Sequence, residues 1–288
     1  MAIKNEVGDE IKEVTSLRTL VEIYGEIASV RMIKVRDFVL KNREFLESIS
    51  SIFHDALEAY AKKLSDLVKL GKIKKGGKVT FLSHNGKTVA VLISANTGFY
   101  GDIVQRTFRK YVEDVRKNNF EVTIIGRLGR TLFSQEESKR PYTFFELPDY
   151  GVDESKLSEV IRHLVQYEEI RVYHGKYQSV VTQRPDTFTI TAGTPIQEDV
   201  KEPEVNYIFE PTVEKILSFF ETEIFASLFA QSIRESQLAK FASRILAMDQ
   251  ASQNIKERLS FLNVENLKII HRIGNRKQLN SMSTILFE

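Results

Sequence analysis

Apolar residues near the start of the chain recur at intervals alternating between three and four: Val14, Leu17, Val21, Tyr24, Ala28, Val35, Phe38, Phe45, Ile49, Ile52 and Ala56. Arg31 and Asn42 occupy the two positions that complete the series. Such a repeat marks a helix that pairs with another along a seam. From about Asp9 to Leu70 only Gly25 interrupts good helix formers, and at 1.5 Å per residue this helix would run roughly 90 Å.

The other end of the chain carries a matching pattern. Pro211 stands where a first-turn proline belongs, and Val213, Ile216, Leu217, Phe220, Ile224 and Leu228 follow it. The seam continues through Leu238, Phe241, Ile245, Met248, Ile255, Leu259, Leu262, Ile269 and Ile273. All six prolines lie between residues 141 and 211, so neither end holds the strongest helix breaker. Two such helices are expected to bury their seams on each other as an antiparallel strut. A compact bundle is the alternative, and their length and lack of breaks disfavour it.

The middle of the chain changes period. Val79–Leu82 and Val89–Ser94 flank Asn85-Gly86, which predicts a hairpin. A helix is expected over Gly101–Asn118, a strand over Glu121–Ile125, a short helix over Gly129–Phe133 and a strand over Tyr142–Glu146. A helix over Glu154–Glu168 and strands at Ile170–His174, Ser179–Gln183 and Thr187–Thr191 complete the set. Strands alternating with helices predict an α/β layer. Gln197–Glu204 is acidic, punctuated by proline, and reads as an exposed loop. Three regions follow: a helix over 1–72, an α/β domain over 73–206 and a second helix over 207–288.

Composition narrows the function. A net charge of +2 with no concentrated basic face gives no reason to expect nucleic acid. The absence of cysteine excludes disulfides, thiolate metal sites and a cysteine nucleophile. No apolar run approaches the ~20 residues that cross a bilayer, and the acidic first residues do not resemble a targeting segment. The five histidines are scattered without metal-ligand spacing. No serine sits in a hydrolase elbow, and Glu136-Glu137 and Glu168-Glu169 are adjacent pairs pointing to different helix faces. No cofactor, metal or catalytic group is expected.

One segment merits a chemical reading. Leu92–Gly101 runs from a strand into a helix, where amide N–H groups attract anions. It matches neither the dinucleotide nor the triphosphate-loop glycine pattern, so a tight turn is the simpler expectation and a nucleotide site the alternative. Arg31, Lys34, Arg36, Lys41 and Arg43 lie along the first helix, and Arg272, Arg276 and Lys277 near the end of the last. They read either as a solvated flank or as a contact surface.

The segment Ala242-Ser243-Arg244-Ile245-Leu246-Ala247-Met248-Asp249-Gln250-Ala251-Ser252-Gln253-Asn254 resembles the Ala-Ala-Arg-Met-x-Ala-Met-x-x-Ala-Thr-x-Asn pattern of F-type ATP synthase γ subunits. Arg244, Ala247, Met248 and Asn254 hold the family spacing. Tyr207–Pro211 resembles the family's Tyr-x-x-Glu-Pro, with Glu210 and Pro211 matching. Ser94–Gly101 is similar to its Ser-Asp-Arg-Gly-Leu-Cys-Gly turn, one residue longer and without the acid and the cysteine, with Ser94, Gly98 and Gly101 as the matched positions. Ile125–Gly129 resembles Ile-Gly-x-Lys-Gly through Gly126 and Gly129, also one residue longer. Ile11, Val14, Ala28, Met32, Lys34 and Arg43 agree at the N-terminus. His271-Arg272 stands for the family's Arg-Gln near the shaft tip, and Asn275–Leu279 replaces Ile-Thr-x-Glu-Leu.

The resemblance implies a divergent γ subunit or γ-like paralogue: a long antiparallel coiled coil of the terminal helices with a central Rossmann-like α/β domain. It implies a non-catalytic rotor that transmits torque between a membrane ion-driven ring and a hexamer of α and β subunits. Its implied partners are α, β, ε and the membrane c-ring, at the cytoplasmic face of a bacterial plasma membrane. Arg31, Lys34, Arg36, His271, Arg272 and Arg276 are the implied contacts to the surrounding ring. A cytoplasmic coiled-coil adaptor with a ligand-binding α/β head is the alternative.

Overall fold

The computed structural model describes residues 2–69, 78–79, 85–191, 194–195 and 213–286. Two helices dominate: α1 spans Ala2–Lys69 and α5 spans Val213–Leu286. At 1.5 Å per residue these are about 100 Å and about 110 Å long. Between them lie β1 (Lys78–Val79), β2 (Thr88–Ile93), α2 (Ile103–Lys117), β3 (Glu121–Ile125), α3 (Arg127–Glu136) and β4 (Thr143–Phe145). Then come α4 (Glu154–Leu164), β5 (Glu169–Tyr177), β6 (Gln183–Thr191) and β7 (Thr194–Pro195). The contacts divide the chain into two compact units, Met1–Val30 with Arg244–Glu288, and Arg31–Ser243.

The first unit is a helix pair. Arg258 donates from Nε to Glu10 at 3.2 Å, and Gly25 faces Met248. Numbers rise on α1 as they fall on α5, so the helices are antiparallel. On α5 from Met248 to Ile273 the half-buried and buried positions are Met248, Ala251, Ser252, Ile255, Leu259, Leu262, Asn266, Ile269 and Ile273, the seam the sequence predicts with Ala251, Ser252 and Asn266 in its gaps.

On α1 only one column of the predicted seam holds. Val7, Val21 and Ala28 are buried and Val14 half-buried, but Leu17 is 50% exposed and Tyr24 lies on the surface. The second column is Ile11, Arg18 and Gly25, with Arg18 and Gly25 one residue later than the expected Leu17 and Tyr24. Gly25 faces Met248 on this side, where an added Cβ would make ordinary contact at 3.6 Å. The shift turns Leu17, Leu20, Ile23 and Ile27 outward.

The second unit is a three-layer sandwich on a five-stranded sheet of order β4-β3-β2-β5-β6, parallel except for β6. The run Thr88–Ile93 is apolar at nearly every position because both faces are covered. Val89, Val91 and Ile93 point with Val172 toward Val160 and Leu164 of α4 and Phe225, Phe229 and Ile233 of α5. Ala90 and Leu92 point the other way, toward Phe108, Tyr111, Val112 and Val115 of α2 and Phe133 of α3. The α1 segment of this unit also runs antiparallel to α5: Arg234 lies 4.1 Å from the Phe38 ring centroid, and Asn42 donates to Gln231 at 3.0 Å.

The predicted hairpin about Asn85-Gly86 is not formed. Val79, the one described residue of its first strand, pairs in Lys78–Val79 with Thr194–Pro195, and β2 is flanked by parallel neighbours. Asn85 instead accepts from the amide of Lys87 in a local turn, and its own amide is tied to the Gln166 carbonyl. The two strands expected within 179–191 are one, β6. Residues 178–182 make the turn, and Pro185 is tolerated because β6 is an edge. The expected loop Gln197–Glu204 lies outside the described residues.

Candidate functional site

The carboxyl ends of the parallel strands and the Gln237–Ser243 segment of α5 meet in one polar cluster inside the second unit. The turn after β2 is pinned to the turn after β3: Ser94 donates to the Ile125 carbonyl at 2.9 Å and Leu128 to the Ala95 carbonyl at 2.8 Å. Gly126 carries φ 102°, and a Cβ there would meet the Ala95 backbone at 2.8 Å, so only glycine fits. Gly129 presses against Ser94 in the same way. Asn96 bridges the loops, donating to the Leu147 carbonyl at 2.6 Å and accepting from the Arg127 amide at 3.1 Å.

Asp149 fills the mouth of this turn. Its carboxylate accepts from the Asn96 amide at 2.9 Å and from the amide and hydroxyl of Thr97, each at 3.0 Å. The Asn96 and Thr97 amides of this turn are therefore already bound to a carboxylate of the chain. That contact gives the turn a structural role and disfavours the nucleotide alternative. Among the described residues, no group of three or more His, Asp or Glu side chains could hold a metal ion.

Into this cluster α5 inserts Lys240. Its ammonium donates to the Ser94 carbonyl at 2.8 Å and lies 3.5 Å from Asp149 Oδ1, with side chains only 6% and 12% exposed. Removing one partner of such a pair costs about 3–5 kcal/mol, whereas replacing both with apolar groups is often neutral. One turn earlier, Gln237 donates to the carbonyls of Gly151 at 2.8 Å and Pro148 at 3.3 Å. One turn later, Ser243 sits against Gly101, whose φ of +57° and missing Cβ admit the helix.

Aromatic rings close the cluster. Phe241 is fully buried, with Tyr100 and Tyr150 edge-on at 6.2 Å and 6.1 Å. The Arg31 guanidinium covers Tyr150 at 4.9 Å, bringing α1 into the same assembly. Further along the sheet His174 is buried, with Nδ1 3.1 Å from the Gly175 carbonyl, and burial pushes its pKa down.

The residues singled out from sequence fall in both units. In the second, Ser94, Gly101, Gly126 and Gly129 belong to the cluster just described, while Gly98 is exposed on its rim. Arg31 is half-buried over Tyr150; Lys34 is exposed, and Arg36 is exposed with its guanidinium 3.8 Å from Asp37. In the first, Arg244 is buried with its guanidinium 5.9 Å from the Tyr24 ring, Ala247 and Met248 are half-buried, and Asn254 is exposed. His271, Arg272 and Arg276 are exposed on α5. Glu210 and Pro211 lie outside the described residues.

Sequence reasoning missed Asp149, Gln237 and Lys240, and also the apolar residues exposed on the helix pair. The signal for Lys240 is a cation inside the otherwise apolar run Leu238–Ala242.

A protein-family model described as ATP synthase matches residues 4–268. The chain belongs to that family. Among its members, an ATP synthase gamma chain of Desulforamulus reducens is 23% identical over 91% of this chain and 90% of its own length. One of Mycoplasmopsis pulmonis is 25% identical over 89% of this chain and 87% of its own. The rotor of the Euglena gracilis mitochondrial ATP synthase shares the fold, with a TM-score of 0.60 at 14% identity, covering 94% of this chain and 99% of that one. Family membership across nearly the whole chain bears out the γ-type fold and disfavours the adaptor alternative.

Proposed function

We propose that the chain is the central-stalk rotor subunit of an F-type ATP synthase, carrying torque between a membrane ion-driven ring and a catalytic α/β hexamer during ATP synthesis or hydrolysis. The family match supports this reading, and one structural observation carries it. The helix pair of the first unit exposes Leu17, Leu20, Ile23, Ile27 and Val30 on α1, and Phe261, Val264, Leu267 and Ile270 on α5. So much exposed apolar surface on a paired helix is the mark of a partner surface. Apolar contact is non-directional, so it holds a shaft in a bore without favouring one angle of rotation.

On this reading the bond chemistry belongs to the β subunits, and α, β, ε and the c-ring are the partners. Among the described residues, no helix is long and apolar enough to cross a membrane. Attachment to the cytoplasmic face of a bacterial plasma membrane, and the part in proton or sodium transport, therefore come through the complex. Residues 1–72 and 207–288 serve as the shaft and 73–206 as the head.

Lys34, Arg36, His271, Arg272 and Arg276 are assigned contacts with acidic loops of the ring, each worth only ~0–1 kcal/mol if exposed. Arg31 joins them from its place over Tyr150. Co-expression with α and β tests the reading: a rotating, ATP-hydrolysing complex is expected. Reversing the charge of Arg31, Lys34 and Arg272 together is expected to slow coupled hydrolysis, and an unchanged rate would remove the ring-contact assignment.

A further inference from the structure

The row Gln237, Lys240 and Ser243 lies on one face of α5 at intervals of three. Each member meets backbone or side chain from the carboxyl edge of the sheet. Apolar packing through Phe225, Phe229 and Ile233 already favours one face of α5 toward the sheet, and directional polar contacts sharpen that preference. The buried ammonium of Lys240 adds such contacts, to the Ser94 carbonyl and to Asp149. Turning α5 by one residue, about 100°, would withdraw Lys240 from the Ser94 carbonyl and from Asp149. The carboxylate would then lose its only described cationic partner. Neighbouring interactions reinforce that arrangement: Asp149 is itself held by Asn96 and Thr97, and these by the loops after β3 and β4.

We propose that Lys240 and Asp149 are positioning residues that act as a torsional key, fixing the angular register of α5 against the sheet so that turning moment passes between them without slip. The proposal rests on the rotor reading above. Setting a register is the best-attested use of a buried polar pair, and such pairs seldom add net stability over apolar substitutes. The key is therefore separable from the stability of the fold.

The test uses the assembled ATP synthase containing this chain, fixed through its α/β hexamer and stalled with a non-hydrolysable ATP analogue. A nanorod on the α/β domain of this chain reports angular fluctuation. K240M and D149N/K240M are expected to raise the angular variance at least two-fold, and K240R to keep it at the wild-type value. The double variant is also expected to lose less in urea midpoint than K240M alone, because it leaves no unpaired buried charge.

Wild-type variance in D149N/K240M would overturn the proposal. So would a fall in its urea midpoint as large as that of K240M alongside the softening, since that describes a merely structural pair. A wild-type complex that hydrolyses ATP without rotating the nanorod would overturn the rotor reading itself, whatever the variants do.

Discussion

Replacing Gly101 by alanine tests how closely α5 is seated on the sheet. The backbone at Gly101 has φ +57°, and a Cβ there would stand 2.4 Å from the Ser243 hydroxyl and 3.0 Å from the Ser243 carbonyl oxygen. The left-handed conformation costs an L-residue about 1–2 kcal/mol. Forcing a methyl group against a packed helix costs about 1–3 kcal/mol more. Gly101→Ala is therefore expected to lose about 2–5 kcal/mol, the sum of these two terms. Urea unfolding followed by far-UV ellipticity should show a midpoint lower by roughly 1 M or more. Ser243→Ala removes the nearer clash and leaves the backbone strain, so the pair should be coupled. The double variant is expected to be more stable than the sum of the singles by about 1–2 kcal/mol. A wild-type midpoint in Gly101→Ala, or additivity in the cycle, would refute the reasoning.

Gly25→Ala should act in the opposite direction, gaining about 0.5–1 kcal/mol of helix stability, because its Cβ would make only ordinary contact with Met248 at 3.6 Å; thermal unfolding checks the sign. Arg140 donates to the carbonyls of Val115, Asn118 and Phe120 and so closes the end of α2. Arg140→Met is expected to lose about 2–4 kcal/mol in urea unfolding, with only partial recovery in Arg140→Lys. Burial lowers the pKa of His174, so the folded state takes up its proton less readily than the unfolded one. Stability is then complete above the unfolded value near 6.5 and falls as pH drops below it. Thermal midpoints from pH 7.5 to 5 should decline less in His174→Asn, and an identical decline would refute the linkage. Ile23→Asp with Ile27→Asp, both already exposed, should leave the unfolding midpoint within about 0.5 kcal/mol of wild type and reduce co-purification with α and β.

Much of the fold was legible because it depends on local period. The continuous apolar run Thr88–Ile93 announces a strand covered on both faces, and the α5 seam is read correctly from Met248 to Ile273. The α1 seam was half legible. Val14, Val21 and Ala28 form the expected column, which Val7 extends, but the other column depends on which side of Gly25 faces Met248, a property of the pair that no single helix states. Asn85-Gly86 misled because its turn chemistry is real while its strand partners are chosen elsewhere. The glycines of the β2–α2 and β3–α3 turns were visible as a pattern. Asp149 and Lys240 were not, because their meaning arises only when distant stretches of chain are folded together.

Asp149 has a consequence for specificity. A protein of this family works among subunits that bind and release nucleotides, and its own sheet ends in the kind of turn that elsewhere captures phosphate. By placing a carboxylate from a neighbouring loop on those amides, the chain supplies its own anion and repels a second one.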